Sequence, residues 1–412
     1  MTPFMKIKIE EANRKRKEGP TDKELLKLAK KRAVITNPSK FFKVEHPFFL
    51  ILAYKDWVNV GYQLSKGIEE ATNWSSRCIN CGGAGRFSYP SDLEAKRINQ
   101  GEIRALCEQA DFVLYGSSFY NWNPAGYAPD KDTPRGIWHG GTTFRRFHNQ
   151  FNYHVHPHFD LVFAHADLQP LYKESKIIQQ PIDLNKWTVV EKDFCERPFI
   201  VSHSPSNAKR KGTKEFQKAM KILKRKYGDE IQFDLYQNVD RGEIYHKKRS
   251  NHMHFDQIGG YHIPPHCRFG YGLSAVENAA CEQIVMVRHD LQALDCPFIN
   301  VKGADDIVAT VDEYFNDPAL ARKKAKECRE YVERMHDRNV LGQAVIHHVE
   351  EFLNDGSVDM GVETRFTVDG KDVTIPLKIQ LRRDIKHEKA VDKLVNILPW
   401  AQHSFAEERD DI

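Results

Sequence analysis

The chain has 412 residues, 41% hydrophobic and 29% charged, with a formal net charge of +4. It is long for one hydrophobic core, so two domains with appendages are expected. The mild charge argues by itself for neither nucleic acid nor membrane. No apolar run approaches the ~20 residues that cross a bilayer. The N-terminus lacks the apolar core of a secretory signal, and eight scattered cysteines fit reduced thiols in a cytoplasmic setting.

Residues 1–45, rich in Lys and Arg, read as a basic arm. PFFLILAYK then forms a continuous apolar run, the mark of a strand buried on both faces of a parallel sheet. It ends at Asp56. DWVNVGYQLSKGIEEA leads through a loop at Gly61 into a helix with Val60, Leu64 and Ile68 on one stripe. Further strands are expected at SSRCIN, DFVLYG (111–116), GIWHG (136–140) and DLVFAH (160–165). IIQQPIDLNKW (177–187) reads as a connection.

The alternation then restarts. RPFIVSHS is a strand, SNAKRKGT a basic loop, and KEFQKAMKILKRKYG an amphipathic helix with Phe216, Ala219, Met220 and Leu223 on its apolar stripe. IQFDLYQ is a strand, GEIYHKKRSN a short helix, HMHFDQI a strand, and EQIVMV another buried strand. Helices are expected at about 317–336 and 339–354, a hairpin around DGKD, and a short helix at AVDKLVNIL. Alternating strands and helices define an α/β chain. The expected division is a basic arm at 1–45, a Rossmann-like acceptor domain at 46–190, a Rossmann-like donor domain at 191–355 and an extension at 356–412.

Two clusters invite a metal reading. Cys78 and Cys81 form a CxxC, but no second pair lies at a fitting distance for structural zinc. His154, His156 and His158 alternate in YHVHPH and would share one face if extended, as a metal site or a polar cleft wall. Asp305-Asp306 and Asp410-Asp411 do not form a DxD motif, and no metal is expected.

Two loops have the chemistry of anion sites. In SNAKRKGT, Lys209, Arg210 and Lys211 precede a helix, where side-chain charge and backbone N–H groups meet; a solvated basic face is the plainer explanation. In FGYGLSAVE, Gly270 and Gly272 let a ligand approach the backbone, and the N–H groups of Leu273, Ser274 and Ala275 open a helix. Glu277 lies one turn on. It either complements the helix dipole or accepts sugar hydroxyls beside a phosphate, as a nucleotide's ribose would require.

These segments resemble the GT-B glycosyltransferases of the large retaining, nucleotide-sugar-dependent group. Their donor loop reads E-G-F-G-L-P-x-x-E; this chain reads Phe269-Gly270-Tyr271-Gly272-Leu273-Ser274-Ala275-Val276-Glu277. The second acid is present, and Phe269 replaces the first. The resemblance implies a GT-B fold of two Rossmann-like domains facing a cleft, and a nucleotide-sugar donor, a UDP-sugar. It assigns Lys211 to the diphosphate, with Lys209 or Arg210 as a second cation, Glu277 to the ribose, and the backbone near Val239 to the base. DWVNVG is placed like the family's first glycine loop, and WHGGTTFRR like its sugar-facing histidine loop, through His139 and Gly140.

Transfer to an acceptor hydroxyl follows from this resemblance. Asp56, at a strand end, is the first candidate base and His139 the second; capping of the next helix is the alternative for Asp56. The acceptor is a glycan or glycoconjugate, or a hydroxymethylated DNA base. The basic arm suits DNA phosphates or peripheral contact with an anionic membrane, and the aromatic run at 117–127 suits an unstacked base. A nucleotide-sugar-binding protein without transferase activity, or an epimerase of the same architecture, stays open.

Overall fold

The computed structural model describes residues 47–53, 56–81, 89–116, 133–237, 239, 241–259, 269–291 and 294–354, and the backbone of residues 363–368 and 371–376. The arm at 1–45, the aromatic run at 117–127 and the helix expected at AVDKLVNIL lie outside these residues.

The first sheet contains β1 (Phe48–Ala53), β2 (Ser75–Asn80), β3 (Leu93–Glu94), β4 (Phe112–Gly116), β5 (Arg135–His139), β6 (Leu161–Ala164) and β7 (Lys176–Ile177). All pairings are parallel, in the order β3-β2-β1-β4-β5-β6-β7. Helices α1 (Val60–Ala71), α2 (Gln100–Gln109) and α3 (Thr142–His154) connect them. Side chains of β1 alternate between two cores. Phe48, Leu50 and Leu52 pack with Ile103, Leu106, Phe144 and Phe151 on one face. Phe49, Ile51 and Ala53 pack with Val60, Leu64 and Ile68 on the other. The unbroken apolar run of this strand follows from that double burial.

The second sheet contains β8 (Phe199–His203), β9 (Ile231–Leu235), β10 (Met253–Phe255), β11 (Ile284–Val287) and β12 (Ile299–Asn300). These strands are also parallel, in the order β12-β11-β10-β8-β9. Between and after them come α4 (Ala208–Lys211), α5 (Thr213–Tyr227), α6 (Arg241–Arg249), α7 (Leu273–Ala280), α8 (Ala304–Asn316), α9 (Pro318–His336) and α10 (Arg338–Asn354). The α5 stripe Phe216, Ala219, Met220 and Leu223 is buried against Phe199, Val201 and Phe255, as its spacing predicts. Two such sheets in one chain form the expected two-domain α/β architecture. β13 (Glu363–Val368) and β14 (Lys371–Pro376) pair antiparallel as the expected hairpin.

One element departs from its place in the chain. Helix α10 follows the second domain in sequence but packs on the first, with Leu341, Val345, Ile346 and Val349 joining the core around Ile68 and Trp74. A Cβ on Gly67 would lie 1.9 Å from the Arg338 carbonyl oxygen, and one on Gly342 2.5 Å from the Gly67 carbonyl carbon. Only glycine at both positions permits this backbone contact. Arg338 anchors the crossing through Glu70 at 2.7 Å and Asp183 at 2.9 Å. Ile182 and Asp337 form a bridge where the outgoing and returning segments pass.

Candidate functional site

Parallel α/β sheets leave a crevice at the carboxyl ends of the strands where their order reverses. In the second domain that point lies between β8 and β10. The loop after β8 carries Asn207, whose side chain accepts from the Arg210 N–H at 3.0 Å and opens α4. Lys211 ends that turn and reaches across to β10: its Nζ lies 2.9 Å from Oδ1 of Asp256. The other oxygen of Asp256 accepts the Gly272 N–H at 2.7 Å. A Cβ on Gly272 would stand 2.8 Å from the Lys211 ammonium, so glycine is what lets the 269–277 loop close on the lysine. The 204–213 and 270–277 segments therefore meet, and Asp256, 1% exposed, joins them. Lys209 and Arg210 are exposed on the outer side of the turn.

Helix α7 starts at this junction. By helix geometry the N–H groups of Leu273 and Ser274 have no acceptor within the helix. The Ala275 N–H is different: it donates to the Gly272 carbonyl at 3.1 Å, which corrects its expected place among the anion donors. The Ser274 hydroxyl sits 3.1 Å from His254 Nε2, and His254 Nδ1 is 3.0 Å from the Ser202 hydroxyl. Burial holds His254 far below the ordinary imidazole range, so this relay is neutral. Glu277 is 7% exposed, and its Oε2 accepts from Lys248 Nζ at 2.7 Å. Lys248 also reaches Ser274 Oγ at 3.3 Å. Val239, expected near the donor base, is half-buried after β9.

The switch point of the first sheet lies between β1 and β4. Asp56 follows β1, and its two oxygens accept the N–H groups of Gly61 at 2.7 Å and Tyr62 at 2.9 Å. It thus caps α1, the alternative its position allowed. Burial pushes its carboxyl up to about 6, against the N–H groups that favour the charge. Next to it, Val58 and Asn59 adopt left-handed backbone, φ 55° and 66°. That conformation is costly for a β-branched residue and concentrates at functional sites. Asn59 is 1% exposed, and neither amide atom has a hydrogen-bond partner among the described residues. It lines a small cavity between the domains with Leu273, Glu277, Asp183, Lys186 and Trp187. Its amide therefore has unused hydrogen-bonding capacity at this cavity, which an NVG triplet does not announce.

The histidine loop differs from expectation. His139 is fully buried, stacked on Phe144 at 4.0 Å, with its Nε2 2.8 Å from His156 Nε2. Burial keeps its ring neutral, and it does not face the cleft. The reason is strand parity: His139 closes β5 on the side of the Phe144 and Phe151 core. The residue beside Gly140 is His165, after β6, whose Cε1 lies 3.5 Å from where a Gly140 Cβ would stand. His165 Nε2 is buried without a partner among the described residues. Two residues on, Asp167 forms an ion pair with Arg145 and touches the 269–277 loop, since a Cβ on Gly270 would be 2.7 Å from its Cγ. On the other side of that loop, Tyr271 Oη lies 2.9 Å from His336 Nε2 at the end of α9.

His154, His156 and His158 do not share a face. His154 ends α3, and the other two sit in a 3-10 turn where only His156 is buried. Cys78 is buried beside Gly61, its thiol pushed up by burial. Among the described residues no three His, Cys, Asp or Glu side chains group as a metal site.

The fold and the crevices define the class: the chain has the GT-B architecture of two Rossmann-like domains. Solved structures with this fold include an alpha-glucosyltransferase in complex with UDP, 10% identical with a TM-score of 0.54 over 74% of this chain and 99% of that one. The same enzyme type with UDP and a 13-mer DNA containing an HMU base matches at 10% identity and 0.53, with the same coverage. A glycosyltransferase from Rickettsia africae matches at 12% and 0.50, over 76% of this chain and 100% of that one. No family model and no curated protein matches the chain.

Proposed function

We propose that the chain transfers a sugar from a UDP-sugar to an acceptor hydroxyl. The observation that carries this reading is the junction of Lys211, Gly272 and the start of α7, with Glu277 one turn away. It brings a cation and helix N–H groups to one point, and Glu277 follows one helical turn on. The structural neighbours that bind UDP support the donor class.

Glycosyl transfer passes through an oxocarbenium-like transition state while negative charge grows on the leaving diphosphate. Lys211 and the N–H groups of Leu273 and Ser274 would stabilise that charge, without reorganising as it forms. Glu277 takes the ribose, and the backbone near Val239 the base. With a carboxyl near 6, Asp56 could take the acceptor's proton in an inverting reaction; in a retaining one the leaving phosphate itself does so.

For the acceptor we favour a hydroxymethylated base in DNA. Lys214, Lys218, Lys221, Lys224, Arg225 and Lys226 are exposed along α5, and the DNA-bound neighbour shares the fold. DNA binding should then weaken steeply with salt. No helix among the described residues is long and apolar enough to cross a membrane.

The test is a thermal-shift series with nucleotides and nucleotide-sugars, then transfer assays on hydroxymethylated DNA and on oligosaccharides. Stabilisation by UDP and UDP-sugars with label appearing in DNA supports the reading. Label in an oligosaccharide alone moves the acceptor to glycans. Conversion of the donor sugar with no acceptor present indicates an epimerase, and binding without turnover a non-transferring protein.

A further inference from the structure

We propose that Asp167, a residue of the first domain, is the carboxylate that recognises the hydroxyls of the donor's sugar. It abuts the 269–277 loop at Gly270 from across the cleft. The assignment rests on the UDP-sugar reading above.

The neighbours of the donor loop change in order along its length. Glu277 stands at one end. Next come the N–H groups of Leu273 and Ser274, and Gly272, with the Lys211 ammonium 2.8 Å from the position of a Gly272 Cβ and its partner carboxylate, Asp256, 3.3 Å from it. Two residues further, at Gly270, the facing group is the Asp167 carboxylate, 2.7 Å from the corresponding position. Carboxylate, cation with N–H donors, carboxylate: this is the order of partners that ribose, diphosphate and sugar require in a nucleotide-sugar.

Asp167 is built for such a role. It is 6% exposed. Arg145 holds its Oδ2, and Oδ1 accepts from no described residue. Next to it His165, 8% exposed, has a buried Nε2 with no partner among the described residues, so unused hydrogen-bonding capacity lies beside the carboxylate. Gly270 is held from behind, its carbonyl accepting from Gln257 Nε2 at 2.8 Å, which keeps the loop in contact with the carboxylate. Because Asp167 and the phosphate site sit on different domains, sugar recognition would also require the domains to be apposed.

The experiment compares UDP with UDP-glucose by calorimetry on the full chain, wild type and Asp167→Asn. UDP lacks the sugar, so its affinity reports the phosphate and ribose contacts and the integrity of the fold. The expected result is UDP binding within about twofold of wild type, and UDP-glucose binding weakened by roughly 10-fold or more, as for a lost charged hydrogen bond. Equal affinities in wild type and variant for both ligands overturn the proposal, as does an equal fall for both in a variant that melts normally. If wild type binds neither ligand, the UDP-sugar reading itself fails, and this assignment with it. A crystal of the wild type with UDP-glucose decides the matter even if the variant does not fold: a sugar hydroxyl about 3 Å from Asp167 is expected, and a sugar held only by the second domain refutes it.

Discussion

Lys248 Nζ lies 2.7 Å from Oε2 of Glu277, and the two side chains are 3% and 9% exposed. The lysine sits in a basic run on α6, while the acid opens the turns of α7. The pair explains how a carboxylate can be kept buried beside an anion site without a ligand. Removing one partner takes this buried ion pair from the other. Lys248→Met should destabilise the protein by about 3–5 kcal/mol in urea unfolding. Lys248→Met with Glu277→Leu should recover much of that stability while donor binding stays weak. A Lys248→Met protein as stable as wild type would show that the pair does not matter.

Lys211 and Asp256 predict opposite signs. Lys211→Met removes a cation from the proposed diphosphate site and should weaken UDP binding by roughly 10- to 100-fold. Asp256→Asn removes a negative charge next to the same phosphate and releases the Lys211 ammonium, so UDP should bind more tightly. Calorimetry on both variants checks this; weakening in both would mean that Asp256 chiefly positions the lysine.

Asn59 should show function and stability pulling apart. Its two amide atoms are buried and unpaired, which costs about 1–3 kcal/mol per unsatisfied group. Asn59→Gly, which removes the amide and accepts the left-handed backbone at φ 66°, is expected to keep or raise the melting temperature while lowering UDP-glucose affinity. A lower melting temperature with unchanged affinity would place the amide in the fold rather than the site.

Asp56 carries a pH signature. Its carboxyl is raised in the folded protein to about 6 from 3.8. The folded state therefore holds this proton more tightly than the unfolded one. Its contribution to stability is fully present below about pH 4 and is lost as pH rises to about 6. Asp56→Asn cannot titrate, so the difference in unfolding free energy between wild type and variant should shift against wild type across that window and level off above it. If Asp56 is also the base, kcat/KM should rise with pH through an apparent pKa near 6, and Asp56→Asn should lose that limb. A flat difference between the proteins would remove the raised carboxyl from the account.

Gly342 tests the seat of α10. A methyl there would enter the backbone of α1 at 2.5 Å. Gly342→Ala should cost about 1–3 kcal/mol or more and loosen the seat of α10 on the first domain, read as a lower urea midpoint.

The strands, the α5 stripe and the two glycine-containing loops before helices are legible in the sequence because each depends on residues close together in the chain. A run such as FFLILA has one stable use, in a parallel sheet covered on both sides, and a glycine loop before a helix has one electrostatic character wherever it lies. Which groups meet is a different kind of fact. Asp256 joins Lys211 because strand order sets β10 next to β8. Lys248 finds Glu277 because α6 packs toward α7. His139 goes into the core while His165 reaches the cleft, because strand parity and the following turn aim neighbouring side chains oppositely. Helix α10 lies on the first domain because two glycines 275 residues apart let backbones touch. Local pattern determined the elements and the chemical character of the loops; partners across the fold were decided only by tertiary packing, since a charge or a glycine carries no record of the distant residue it will meet.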